Sequence, residues 1–416
     1  MYIKRIIDEQ LEKYLKVFGG VLIEGPKYCG KTRTCEEFAK TKIYFQNPSD
    51  RKRLSALIEQ DPLLLFSTDK PLLLDEWQEY PVLWDSVRYY IDMHNSKGDF
   101  LLTGSSQSRN IKTMHSGVGR IGKILLRPLS IYEMQISQSS ISIEELFDGY
   151  KPINQKCNLT LDDYMNVICK GGWPASINLD YEQSLVSIYE YAQDLYKLDT
   201  FDKNNRQSTI LRKLLYSLSR NILTDISFEK IRKEVVVNEN ELTERTLYNY
   251  YEKLKNYFIV EDLPAWDPHI RSKARLIKKV KRNFIDPSIA VGILRLNKEK
   301  LIDNLDYYGF LFESLVIKDL RILIQNLGGN VYYYKDNTNL DIDVIVQLNN
   351  GRWGALQVKV GSSKIDEAAK ELDLFLNKID YTYLEKPSFV GIITGTEYAY
   401  TRSDDKIVIP LGLLKP

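Results

Sequence analysis

The sequence predicts an α/β protein of more than one domain: a parallel sheet first, a helical middle, and a second α/β unit at the C-terminus. Three observations carry this. At 416 residues the chain exceeds one ordinary domain, and its 44% hydrophobic content supplies material for several cores. Residues 1 to 135 alternate helical patterns with the short apolar runs Val21-Leu22-Ile23, Leu72-Leu73-Leu74 and Phe100-Leu101-Leu102, each ending within two residues of a glycine or an aspartate. After about Leu305 a long amphipathic helix is followed by three strand-like runs, another helix and two further apolar runs. The expected division is 1–135, 136–300 and 301–416, with the polar residues from about 137 to 160 forming an exposed connection.

Composition narrows the class. Lys+Arg 57 against Asp+Glu 56 gives a formal charge of +1, which excludes a histone-like polycation but not a local basic groove. Cys29, Cys35, Cys157 and Cys169 show no CxxC spacing, so neither a disulfide framework nor a structural zinc site is expected. No apolar run reaches the ~18 residues of a membrane span, and the N-terminus mixes charges throughout. These features predict a soluble, cytoplasmic protein with no membrane partner.

The N-terminal stretch carries the sharpest chemistry. Gly25-Pro26-Lys27-Tyr28-Cys29-Gly30-Lys31-Thr32 fits G-x-x-x-x-G-K-[ST] without a gap. It follows the strand pattern Gly20 to Glu24 and precedes a helical pattern from Thr34 to Lys40. Glycines let the backbone wrap a phosphate, Lys31 would neutralise the β- and γ-phosphates, and the Thr32 hydroxyl would coordinate Mg²⁺. Gly25 to Thr32 together with Arg33 are therefore the expected nucleotide-binding residues. Pro71-Leu72-Leu73-Leu74-Asp75-Glu76 reads as a strand ending in two acids. Asp75 is placed to hold the Mg²⁺ shell and Glu76 to orient or deprotonate the attacking water. Thr103 and Ser105 are candidates for sensing the γ-phosphate, and Thr-Gly-Ser-Ser reads equally well as an ordinary turn. Arg120, on a glycine-rich segment, is a candidate arginine finger in cis or in trans. The trans role would require a homo-oligomer.

These pieces, with Leu102-Thr103-Gly104-Ser105, Gly119-Arg120 through Arg127-Pro128-Leu129-Ser130, and Gly171-Gly172-Trp173-Pro174, resemble a bacterial and archaeal family of AAA-like P-loop ATPases that end in DUF4143, a domain of unknown function. The resemblance covers nearly the whole chain. It implies a P-loop NTPase (AAA-like) parallel sheet and ATP as the nucleotide. Nothing in the residues themselves reads the base.

In the middle stretch, Thr243 is a reasonable N-cap for a helix with apolar positions at Leu247, Tyr250 or Tyr251, and Leu254. An upstream helix at Phe228 to Glu234 and a strand through Phe258 to Trp266 complete a winged helix-turn-helix pattern, which the family resemblance also implies. Seven of the twelve residues from 271 to 282 are basic and none is acidic, a run suited to DNA phosphates or to a solvated edge strand. Further on, helix, three strands, helix, strand resembles a restriction-endonuclease-like core with its D…(D/E)-x-K signature. Asp343 matches the first acid, Gln357 stands where the second acid is expected, Lys359 matches the lysine, and Glu313 matches a helix-borne acid. An amide at 357 removes a negative charge and a strong ligand for a hard cation. The expected function is an ATP-dependent molecular switch coupling the AAA-like core to a winged-helix and nuclease-like module. The alternatives are an ATP-dependent nuclease and a non-catalytic, ATP-stabilised interaction protein.

Overall fold

The computed structural model describes residues 2–104, 116–198, 205–235, 243–267, 280–338, 340–382 and 384–416. They form two compact units, Met1–Pro128 with Asn256–Phe258, and Leu129–Lys255 with Ile259–Pro416.

The first unit is built on β1 (Gly20–Glu24), β2 (Thr41–Tyr44), β3 (Leu72–Asp75), β4 (Phe100–Gly104) and β5 (Ile121–Leu125), all parallel in the order β2-β3-β4-β1-β5. A parallel sheet needs both faces covered, so its strands read as unbroken apolar runs. Leu22, Leu72, Leu74, Phe100 and Leu102 pack with helices Arg51–Gln60 and Val82–His94. Val21, Ile23, Leu73 and Leu101 pack on the other face with Ile7, Leu11 and Cys35 from helices Ile7–Val17 and Lys31–Phe38. The expected strands at 21–23, 72–74 and 100–102 are β1, β3 and β4. The edge strands β2 and β5 are not legible as apolar runs, because each carries an exposed lysine, Lys42 or Lys123.

The second unit contains β6 (Ile141–Ser142), β7 (Gln155–Lys156), β8 (Gly329–Lys335), β9 (Asp341–Leu348), β10 (Trp353–Lys359), β11 (Phe389–Thr394), β12 (Tyr398–Thr401), β13 (Ile407–Pro410) and β14 (Leu414–Lys415). Seven form a mixed sheet, β7-β12-β13-β11-β10-β9-β8, and β14 pairs with β6. The stretch 137–160 is thus not a free connection. Its strands pair with β12 and β14, and the hydroxyl of Ser139 donates to Gly412 O at 3.2 Å. Serine hydroxyls that read as solvated loop chemistry instead tie this segment to the C-terminal sheet.

Helices Asn205–Arg220, Phe228–Val235 and Glu244–Asn256 precede two antiparallel bridges, Val260 to Phe284 and Leu263 to Lys281. Thr246 N–H donates to Thr243 Oγ1 at 3.2 Å, and Leu247, Tyr250, Tyr251 and Leu254 are buried, as their spacing predicts. The run 268–279, most of the basic stretch, lies outside the described residues. Ala265 bridges to Tyr333, so the chain returning from the helices runs on beside β8.

The long helix, Leu305–Leu323, is less amphipathic than its sequence suggests, since every residue from Ser314 to Leu323 is buried. Lys318 survives there because its ammonium meets Asp286 Oδ2 at 3.3 Å and Leu129 O at 2.9 Å. Asp286 in turn accepts from Gly172 N–H at 3.0 Å. A Cβ on Gly172 would stand 2.2 Å from Leu129 O, so the backbones meet only because residue 172 has no side chain.

Candidate functional site

Two clusters of charged side chains emerge, one in each unit. In the first, β1 ends at Glu24 and the loop turns through Gly25 and Gly30, at φ 155° and 101°. A Cβ on Gly25 would lie 2.2 Å from Leu126 O. Tyr28 also takes a positive φ, 66°, with its ring exposed beside exposed Lys27, while Pro26 and Cys29 are buried. Burial pushes the Cys29 thiol up, away from thiolate chemistry. The buried guanidinium of Arg5 donates to Cys29 O at 3.0 Å and Arg127 O at 2.7 Å, fixing the loop from beneath. No motif in the sequence marks Arg5 for this task.

Helix Lys31–Phe38 starts at Gly30 with no side-chain cap, leaving its positive dipole end without a built-in acceptor. The buried Lys31 ammonium donates to the carbonyls of Gly25 and Pro26 at 3.0 and 2.9 Å. Thr32 Oγ1 and Thr103 Oγ1 each donate to Asp75 Oδ1 at 2.7 Å, and Thr103 Oγ1 accepts from Glu76 N–H at 2.9 Å. Burial raises the Asp75 carboxyl while the two hydroxyls oppose that shift. Glu76 sits at φ 56° just past β3, its carboxylate accepting from the Gln78 amide. A lysine ammonium with threonine and aspartate oxygens beside an uncapped helix end fits a nucleotide polyphosphate and its hard cation.

Two expected residues fall elsewhere. Arg33 is committed to Glu36 and Glu37, at 2.9 and 3.0 Å, on the exposed face of its helix. Arg120 precedes Ile121, which pairs with Gly20 at the start of β1, whereas the loop follows the end of β1. Five residues of strand, roughly 16 Å at 3.3 Å each, separate the two ends. Arg120 pairs there with Asp92 at 2.8 Å, so the cis finger reading is corrected by sheet register. Thr103 is described as above, and Ser105 lies outside the described residues.

The second cluster lies where β9 and β10 part. Tyr332 faces Ile345 and Tyr334 faces Ile342, so β9 carries one extra residue around Asp343 and Val344. The ladder between β9 and β10 stops at Leu356 and Val344. Beyond it, Asp343 Oδ2 accepts from Val358 N–H at 2.8 Å, and the Gln357 amide donates to Asp341 O at 3.0 Å and Glu371 Oε2 at 2.8 Å. Lys359 lies 3.8 Å from Glu371. Burial and the neighbouring Asp343 push Glu313 up to about 8, and burial raises Asp343 as well. The structure therefore brings Glu313, Asp343, Gln357 and Lys359 into one neighbourhood.

It also adds a residue that the sequence placed elsewhere. Lys281, expected to face DNA, is buried with its ammonium 3.1 Å from Asp341 Oδ1 and 3.9 Å from Glu313 Oε1. Arg282 also turns inward, with its guanidinium 4.7 Å from the centre of the Phe228 ring. The described end of the basic run is thus internal. The alternation Val280-Lys281-Arg282 gave no sign of which face was covered.

The first cluster, at the carboxyl ends of parallel strands and a helix N-terminus, defines a P-loop NTPase core. Sequence comparison agrees: residues 18–135 match the AAA domain, 161–300 the domain of unknown function DUF8612, and 308–414 the domain of unknown function DUF4143. The chain thus joins an AAA-like P-loop domain to a DUF4143 region. No curated protein matches. Solved structures with some likeness include the Walker-type ATPase PABY2304 of Pyrococcus abyssi, at 15% identity over 70% of this chain and 94% of that one, with a TM-score of 0.41. AMPPCP-bound DnaA from Aquifex aeolicus shares 12% identity over 60% and 86%, with a TM-score of 0.27. Among the described residues no helix is long and apolar enough to cross a membrane.

Proposed function

We propose that the chain is an ATP-binding, slowly hydrolysing molecular switch, with Gly25 to Thr32 as the phosphate cradle. The reading rests on one observation, the 2.7 Å bond from Thr32 Oγ1 to Asp75 Oδ1, which joins the phosphate loop to the acid pair at the tip of β3. The AAA domain match supports ATP as the nucleotide. Lys31 would exchange its carbonyl partners for phosphate oxygens, and Thr32 and Asp75 would hold Mg²⁺, which neutralises phosphate charge when bound. Glu76 would position the attacking water. Gln78, bonded to Glu76, would hold that carboxylate in place. A three-part working division, 1–135, 136–300 and 301–416, makes the remaining parts the responding modules. The helices up to Asn256 and the bridges at 260–284 support a winged-helix module, for which DNA is the first client to test.

The test is phosphate release from ATP and Mg²⁺ by wild type and Glu76→Gln, with and without duplex DNA. Glu76→Gln is expected to keep nucleotide binding and to lose turnover by roughly 10²-fold or more. Turnover equal to wild type would remove Glu76 from the reaction. DNA stimulation of the wild type would identify the client, and its absence would favour a protein one.

A further inference from the structure

The residues of the nuclease-like signature do not fit a divalent cation as they stand. Such an ion needs several oxygen ligands with free lone pairs, chiefly carboxylates. Glu313 Oε1 is buried without a hydrogen-bond partner, but Asp343 Oδ2 accepts from Val358 N–H, Asp341 Oδ1 accepts from Lys281, and Gln357 presents an amide that bridges Asp341 O and Glu371. Among the described residues no group of three His, Cys, Asp or Glu side chains is placed to hold a metal ion.

The positive charge in this cleft comes from the chain. We propose that Lys281 is a tethered cation: its ammonium lies against Asp341 and Glu313 with Asp343 near enough to act on it, offsets the negative charge of this group and keeps divalent metal out of the C-terminal unit. Three independent features support this. First, the lysine is rigidly delivered, because its N–H donates to Leu263 O at 3.0 Å and its carbonyl accepts from Leu263 N–H at 2.8 Å. A 5.0 Å approach to the Tyr333 ring guides the side chain further. Second, the ammonium is buried, a state that is unfavourable without compensating charge. Asp341, in contact, and Asp343 supply that charge, Glu313 adds its own as it ionises, and together they raise the Lys281 pKa against the opposing pull of burial. Third, Gln357 suits a site without metal. A carboxylate at 357 could not donate to Asp341 O, and it would face the Glu371 carboxylate at the distance the amide now bridges.

Lys281 pairs with Leu263 in an antiparallel bridge, so its side chain also ties that bridge to β9 and the long helix. The acids of the signature serve as the catch of an internal ion pair.

Mn²⁺ titration of the full chain without nucleotide tests this, reading free Mn²⁺ by electron paramagnetic resonance and stability by thermal melting. Asp343→Asn serves as the reference for ions bound elsewhere. Wild type is expected to bind no Mn²⁺ that Asp343→Asn loses. Lys281→Gln is expected to melt lower in EDTA, to gain about one such ion per chain as Glu313, Asp341 and Asp343 close around it, and to regain melting temperature with Mn²⁺. Lys281→Arg, which keeps the charge, is expected to gain none. A wild-type Mn²⁺ ion lost in Asp343→Asn overturns the proposal, as does a Lys281→Gln protein that folds and binds no added ion. Should Lys281→Gln not fold, the wild-type and Lys281→Arg titrations decide: an Asp343-dependent ion in either one overturns the proposal, and none in both upholds it.

Discussion

Lys31 and Lys281 are both buried ammonium groups in charged clefts, and their partners make them opposites. Lys31 is held by two main-chain carbonyls of its own loop. Lys281 is held by carboxylates. A carbonyl dipole compensates an ammonium only in part, so an arriving polyphosphate competes well for Lys31. Formal negative charge at close range compensates Lys281, and moving it would leave two kinds of charge buried and unpaired. The first arrangement suits a lysine waiting for a ligand, the second a lysine whose ligand is the protein itself.

Removing each ammonium should therefore have a different consequence. Lys31→Ala should reduce ATP turnover by roughly 10²-fold or more, with a matching loss of ATP binding, while leaving the melting temperature of the nucleotide-free chain nearly unchanged. Calorimetric titration with ATP beside a melting curve would check both halves. A large loss of stability would place Lys31 with Lys281 as a structural lysine. Lys281→Gln should do the reverse, costing about 3 kcal/mol of stability while nucleotide binding stays intact.

The pH dependence of stability sharpens the contrast. Burial and Asp343 hold the folded Glu313 carboxyl up to about 8, whereas an unfolded glutamate ionises near ~4.3. Between those values the folded state binds the extra proton. The contribution of this group to stability is therefore complete below the ordinary carboxylate range and is lost as pH rises through about 8. Glu313→Gln should flatten that decline, so its advantage over wild type in urea melts should grow from pH 5 to pH 9. Parallel pH profiles would show that Glu313 is ionised throughout and paired with Lys281 as a full charge.

How much of this was legible in the sequence follows from the kind of contact involved. The phosphate loop and the strand ending at Asp75 are local, because fixed spacing encodes a turn, a helix start and a strand tip. The central strands were readable because burial on both faces leaves an unbroken apolar run. β2, β5 and the strands from 137–160 were not, since edge and short strands keep polar residues whose partners are remote in sequence. The Asp343–Gln357–Lys359 pattern was visible on two adjacent strands. Its meaning turns on Lys281, which is 60 residues from Asp341 and which charge alone groups with the basic residues before it. Composition along the chain reports local density of charge, and only the fold reports which charges meet. The position of Arg120 was hidden for a related reason: glycine spacing suggests mobility, while sheet register decides which end of the sheet it occupies.

The smallest expected effect concerns that arginine. Arg120 meets Asp92 in an exposed pair at the end of the sheet away from the loop, where solvent and salt screen the contact. Arg120→Ala should leave both melting temperature and ATP turnover close to wild type at low protein concentration. A finger acting in trans leaves a different signature, because the site is then completed only when a second copy approaches. Turnover per chain would rise with protein concentration in wild type and stay flat in Arg120→Ala. Measuring specific activity across a dilution series of both proteins distinguishes a surface ion pair from a residue that serves a neighbour's nucleotide.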